Sequence, residues 1–266
     1  MAIQPYTGPF GRAEQIHLLR RALFGVTPGD LAHFNGMGLT QMVDELLTFS
    51  TAVPPPLKNY TAPDGNNQPD PSLIDPNVPF GSTWVNTASD PQAPIDPRGA
   101  RIQSLFAWWV GLMTGQERNL REKLTLFWYN HMPTQALAVF QPEGLYSMNV
   151  LLRNQCKGNF RQLIHDVTLE PAMLVYLNGY LNIATAPDEN YARELMELFT
   201  LGQGSGYAES DVQAAARVLT GFTVQYVDQG QPIVPQTIFL PFLHAITDKQ
   251  FSGFFNNTVI QGQTGV

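Results

Sequence analysis

The sequence predicts a mainly α protein: an irregular multi-helix bundle with a long Pro-rich surface loop and a short β-hairpin near the C-terminal end. Three observations predict it. Apolar residues recur at steps of three and four in most segments outside residues 52–99 and before Phe222. Eleven of the 21 prolines fall within residues 52–99. Beyond Phe222 the helical period is lost, and "FTVQYVDQGQPIVPQTIFLPF" offers one or two short strands around Gly230.

The elements follow in order. Residues 12–24 place Ala13, Ile16, Leu19 and Leu23 on one helical face. Thr27 and Pro28 then cap and start a second helix, which Gly36 and Gly38 end. "LTQMVDELLTFS" is a third, short amphipathic helix. Residues 52–99 have too few aliphatic positions to form a core of their own, so they read as an excursion over the surface, pinned by Phe80 and Trp84. Residues 100–131 carry the strongest helical signal, with a break at Thr114-Gly115 and a stop at Pro133. "PEGLYSMNVLLRNQC", "NFRQLIHDVTL", "PAMLVYLNG", "DENYARELMELFTLG" and "AESDVQAAARVLTGF" supply five more helices. The 266 residues read as one mainly helical domain, irregular over residues 223–266.

Composition narrows the function. Net charge is −7, only four residues are lysine, and the longest basic run is Arg20-Arg21. A nucleic-acid partner needs a basic stripe to displace counterions, so none is expected. No stretch approaches the ~18 apolar residues of a membrane span, and the N-terminus lacks an apolar run of signal-peptide length. The chain therefore reads as soluble, or as a mature form written without an export signal. Cys156 stands alone, which excludes an internal disulfide. Gly-x-Ser-x-Gly, His-Glu-x-x-His and Cys-x-x-Cys are all absent.

The candidate chemistry centres on "DENYARELMELFTLG". On an ideal helical wheel Glu189, Asn190, Arg193, Glu194 and Glu197 fall within an arc of about 140°, and Tyr191, Ala192, Leu195, Met196, Leu198 and Phe199 fill the other half. Three uses suit that arc. Glu194 and Glu197, joined by His131, have donors for a divalent metal, the one cofactor the sequence hints at. Glu194 or Glu197 serves equally as a general base while Arg193 orients an anion and His131 transfers a proton, which is acid/base hydrolysis. The third use is structural, with Arg193 and Glu194 buried and paired as an ion-pair strut.

Other positions are weaker. His17 and Arg21 lie one turn apart on the first helix and read as a structural pair that could border the same pocket. His33 and His165 sit in ordinary amphipathic helices. His244 precedes Asp248 by four residues, a metal spacing only if that segment is helical. "GQGSGY" follows a helix and reads as a turn, not a phosphate cradle.

Six blocks, "HLLRRALFGVTP", "LREKLTLFWYNHM", "GNFRQLIHDVTLEPAMLVYLNG", "ENYARELMELFTLG", "YAESDVQAAARVLTGF" and "FLPFLHAITDKQFSG", together resemble the bacterial family labelled domain of unknown function 1800, from His17 to Gly253. The resemblance implies a mainly helical, exported protein, periplasmic or extracellular, with no established activity for the family. It also implies a short member or a fragment, since family chains commonly continue past the block containing His244. Five positions depart from the family pattern. Tyr129 replaces the first histidine of Trp-His-Asn-His-Phe and Met132 its phenylalanine, Asp188 replaces an asparagine, Glu170 an aspartate, and Ala245 the aspartate after His244. The expected function is thus a polar Glu/Arg/His pocket acting on a polymeric or small-molecule substrate, or a non-enzymatic envelope protein with a protein partner.

Overall fold

The computed structural model describes residues 4–49, 53–90 and 93–262, which contain eleven α-helices and three antiparallel strand pairs, the first of them β1 (Ala62–Pro63) with β2 (Pro69–Asp70). The chain is mainly α, as its periodicity predicts. Helices α1 (Arg12–Ala22), α2 (Pro28–His33) and α3 (Leu39–Leu46) close around Leu19, Leu23, Phe34, Met42 and Leu46. The Thr27 hydroxyl accepts from Asp30 N at 3.1 Å, and the Asp30 carboxylate accepts from Thr27 N at 2.9 Å, so two orphan amides are satisfied at the start of α2. Asp30 also accepts from Arg118 Nε at 3.0 Å, which ties this unit to the loop ahead of α5.

The long helical signal resolves into α4 (Arg98–Thr114) and α5 (Arg121–His131), broken at Gly115 as expected. A short α6 (Ala136–Val139) follows, then α7 (Pro142–Gln155), α8 (Phe160–Thr168) and α9 (Pro171–Tyr176). Trp84, Ile102, Leu105, Met148, Leu152, Val167, Met173 and Tyr191 build the main core between them. Burying one such aliphatic side chain contributes about 1.5–3 kcal/mol. Gly179 lies so close to Tyr191 that a β-carbon there would sit 2.7 Å from its ring, so only glycine lets the ring in.

Where α5 meets α7 the buried charges are paired. Arg153 on α7 grips both oxygens of Glu122 on α5 at 2.8 and 2.9 Å, and Trp109 Nε1 on α4 donates to the same carboxylate at 3.1 Å. Three helices are thereby joined through one acid, whose lone pairs are well used.

Helix α10 spans Glu189–Glu194 and passes directly into a π-helical segment over Leu195–Thr200. The ideal wheel therefore fails beyond Glu194, because a π turn holds more residues than an α turn. Leu198, placed on the apolar side by that wheel, is 58% exposed, while Met196 and Phe199 are buried. After α11 (Glu209–Val218) comes a hairpin longer than the sequence suggests, β3 (Phe222–Asp228) with β4 (Gln231–Phe239). Its tip is Gln229-Gly230, both at positive φ, the geometry of a two-residue hairpin turn. Pairing jumps from Gln225↔Gln236 to Val227↔Pro232, and Pro235 sits in the resulting bulge, where a proline costs no ladder bond. The expected irregular region is further ordered by β5 (Lys249–Gln250) pairing with β6 (Val259–Ile260). Ser252 donates from N and Oγ to the buried Asp211 at 2.6 and 2.7 Å, fastening this tail to α11.

Candidate functional site

The polar arc of α10 lies at the surface. Arg193 pairs with Glu189 at 3.2 Å and with Glu209 of α11 through both guanidinium nitrogens, one at 3.0 Å. Its side chain is 37% exposed, and its partners are Glu189 and Glu209 in place of the expected Glu194, so the buried strut is corrected to a surface clamp. The hydrogen bond that Arg193 donates to Glu209 is the main reason the guanidinium pKa is raised, and the same bond lowers that of Glu209. Asn190 is exposed and donates to Leu177 O at 3.3 Å. Glu194 and Glu197 are half-buried and form no ion pair with any described residue.

The Nε2 of His131 lies 2.9 Å from the Phe199 carbonyl, an acceptor only, so that nitrogen carries the proton and the ring's lone pair is on Nδ1. Phe127, Trp128 and Phe199 enclose the ring, stacked or tilted at 5.9–6.5 Å. Among the described residues no three His, Cys, Asp or Glu side chains come together to hold a metal, so Glu194, Glu197 and His131 are not a ligand set here.

His17 and Arg21 are exposed and form no pair with each other. They border a mainly apolar groove of about 500 Å³ with Tyr6, Phe10, Leu18 and Leu39, none of which belongs to the arc. His244 follows a 3-10 turn instead of sitting in a helix, and it faces Lys249, not Asp248. Its Nδ1 donates to Thr220 O at 2.7 Å, and its Nε2 accepts from Lys249 Nζ at 3.2 Å. Lys249 is buried, which lowers its pKa, and it also donates to Ala245 O at 2.5 Å. Asp248 points to solvent and caps Gly262 N at 2.7 Å.

The best-built polar cavity lies elsewhere, where residues 53–90 meet the hairpin. Its charged wall begins at Arg101 of α4, whose side chain is fully buried. Arg101 holds both oxygens of Asp75 at 2.6 and 2.8 Å, donates to Thr87 O at 2.6 Å, and donates to Glu143 Oε1. Burial opposes the guanidinium charge, yet Asp75 and Glu143 outweigh it, so the pKa lies above the ordinary arginine value. Tyr60 OH donates to Asp75 at 2.6 Å; burial, reinforced by that carboxylate, raises the phenol pKa. Lys58, also buried, gives its ammonium to the carbonyls of Asp75 and Val78 at 2.8 and 2.9 Å. Trp84 is fully buried and donates to Ser104 at 3.2 Å, whereas Phe80 is 57% exposed and pins nothing.

Glu143, two residues into α7, is 2% exposed. Ser89 Oγ donates to its Oε1 at 2.6 Å, alongside Arg101. Its Oε2 is buried and has no donor among the described residues. Glu143 and Ser89 line a cavity of about 480 Å³ together with Asp90, Arg98, Gln141 and, across from them, the hairpin residues Tyr226, Val227, Gly230, Pro232, Ile233 and Pro235. Burial raises the Tyr226 phenol pKa. Arg98 is clamped by Asp96 at 2.7 and 3.0 Å, which holds the carboxyl of Asp96 below its usual range. This site is hidden in the sequence because Glu143 looks like an ordinary first-turn acid after Pro142, and its partners lie 42 and 54 residues away.

A mainly α chain with a polar cavity between an embedded Pro-rich segment and a hairpin is the class that fold and site define. Residues 17–265 match the model of the family described as "Protein of unknown function (DUF1800)", and the chain belongs to that family. No curated protein and no solved structure matches it. No helix among the described residues is long and apolar enough to cross a membrane.

Proposed function

We propose that the protein binds a small molecule in the cavity between residues 53–90 and the β3–β4 hairpin, and that binding is its function. The observation that carries this reading is the Glu143 carboxylate, buried at the cavity with one oxygen that no described residue satisfies. Leaving a buried acceptor unmatched costs about 1–3 kcal/mol, and more when it is charged. Such groups are few in native proteins, and a bound water, ion or ligand is one way of completing them. The volume of about 480 Å³ and the mixture of apolar walls with a few convergent polar groups are those of a small-molecule site.

Binding is favoured over hydrolysis by the company Glu143 keeps. Its partners are a guanidinium and a serine hydroxyl, with no imidazole to take the serine proton. Export, which the family resemblance implies, would put that ligand outside the cytoplasm. The test is an NMR titration of the nitrogen-labelled protein against a library of polar fragments. Hits are expected to move the amides of Ser89, Val227 and Gly230. A library whose hits all perturb other regions would remove the proposal.

A further inference from the structure

Resting on that reading, we infer that the ligand is an uncharged sugar: a pyranose ring with one hydroxyl donating to Glu143 Oε2 and its C–H face on the hairpin wall. Charge comes first. In and directly behind the cavity wall Asp75, Asp96 and Glu143 are matched by Lys58, Arg98 and Arg101, and Asp90 has a contact of its own. An ionic ligand would enter this balanced wall with no opposite charge to offset its lost hydration. A neutral ligand meets no such penalty.

Hydrogen-bond demand comes next. Glu143 Oε2 is a carboxylate oxygen, so the ligand must donate to it. Arg98 holds Asp96 through Nε and Nη2, which leaves Nη1 to donate. The Gln141 amide and the Tyr226 hydroxyl also line the cavity, and neither side chain hydrogen-bonds to a described residue. A ligand that only donates or only accepts would serve half of these groups. A hydroxyl does both, and a sugar carries several around its rim. Shape selects the ring. The opposite wall is Tyr226, Val227, Pro232, Ile233 and Pro235. A linear polyol would turn hydroxyls onto that apolar surface, where they go unpaired. A pyranose turns C–H bonds onto it from its face and packs them on the Tyr226 and proline rings.

The probes are the methyl glycosides of glucose, galactose, mannose and N-acetylglucosamine, with cyclohexanol as a ring of one hydroxyl and the 6-phosphate of the best sugar as a charged ring. Each is titrated by NMR into the full chain, Glu143→Gln and Tyr226→Leu. At least one glycoside should move the Ser89, Val227 and Gly230 amides and bind at least about tenfold tighter than cyclohexanol, a difference of about 1.4 kcal/mol. Its affinity should be equal at about 0.02 M and about 0.5 M salt, and its 6-phosphate should bind more weakly. Glu143→Gln and Tyr226→Leu should each weaken it several-fold. Because Glu143 also anchors Arg101, Tyr226→Leu and the salt series on wild type keep the test valid if Glu143→Gln unfolds. The sugar inference is overturned, and the cavity remains a binding site, if fragments move those amides while no glycoside does. It is overturned equally if cyclohexanol or the 6-phosphate matches the best glycoside, or if neither variant weakens it. If neither the probes nor any fragment moves those amides, the binding site itself is refuted.

Discussion

Arg101 and Asp75, 26 residues apart, form a fully buried two-pronged ion pair at 2.6 and 2.8 Å that clasps the Pro-rich segment onto α4. Within this proline-rich segment the backbone ladder shrinks to a two-residue strand pair. Its hold on the bundle passes through side chains: the Arg101 fork, the indole N–H groups of Trp84 and Trp108, which reach Ser104 and Pro54 O, and Ser104 Oγ, which donates to Leu57 O. The segment is therefore embedded at several points, and the cavity wall it forms depends on them.

Removing one partner leaves the other charged and buried. Arg101→Ala is expected to destabilise the protein by about 3–5 kcal/mol, because Asp75 and Glu143 both lose their cation. Urea melts measure it, and limited proteolysis should show cleavage within residues 53–90 before global unfolding. A loss below about 1 kcal/mol, the range of an exposed pair, would contradict the buried clasp.

Glu170 carries a pH dependence of defined sign. It is 6% exposed, its Oε1 has no partner, and its Oε2 accepts only from Ser147 at 3.3 Å. Burial raises its pKa from 4.5 to about 7, and the Ser147 bond opposes this only in part. The folded state thus binds the proton more tightly than the unfolded chain. The associated stability is fully present below about pH 4.5 and is lost as pH rises to about 7, by an amount on the order of 3 kcal/mol. Denaturation midpoints at pH 5 and pH 8 should differ in that direction, and Glu170→Gln should flatten the dependence. Identical slopes in both proteins would show that Glu170 does not carry it.

How much was legible follows from the range over which each signal acts. Helix starts and stops were readable at Thr27-Pro28, Thr114-Gly115 and Pro142, since caps and breakers act within one turn. The wheel of α10 was right through Glu194 and wrong at Leu198, because the hydrogen bond from Leu201 N to Met196 O winds that turn into a π-helix, which apolar spacing does not encode. His131 has the residue type and the face of a ligand, and the bond from its Nε2 to Phe199 O, a contact 68 residues away, lies beyond what local spacing encodes. The cavity was illegible for the same reason. Ser89, Arg101 and Glu143 meet only after the Pro-rich segment has folded onto α4.

Arg193 now has a modest expected role. Half in solvent, its pairs with Glu189 and Glu209 are screened by counterions. Arg193→Ala should cost no more than about 1 kcal/mol at low salt and less at about 0.5 M. Melts of wild type and variant at both salts decide it. A cost of several kcal/mol that ignores salt would restore the buried strut.

The hairpin tip links stability to the proposed site. Gln229 and Gly230 have φ of 49° and 79°, so each sits in the left-handed region that costs an ordinary side chain about 1–2 kcal/mol. Gly230 escapes that cost and also lines the cavity. Gly230→Ala is therefore expected to destabilise by about 1 kcal/mol or more. Gln229→Asn, which suits the same turn better, should stabilise by a few tenths of a kcal/mol. Paired thermal melts measure both. Because β3 and β4 pack on α9 and α7, the Gly230→Ala loss should appear as local exchange of the Val224 and Thr237 amides before the core opens. A variant with unchanged exchange there would mean the tip does not set the register that brings Tyr226 to the cavity.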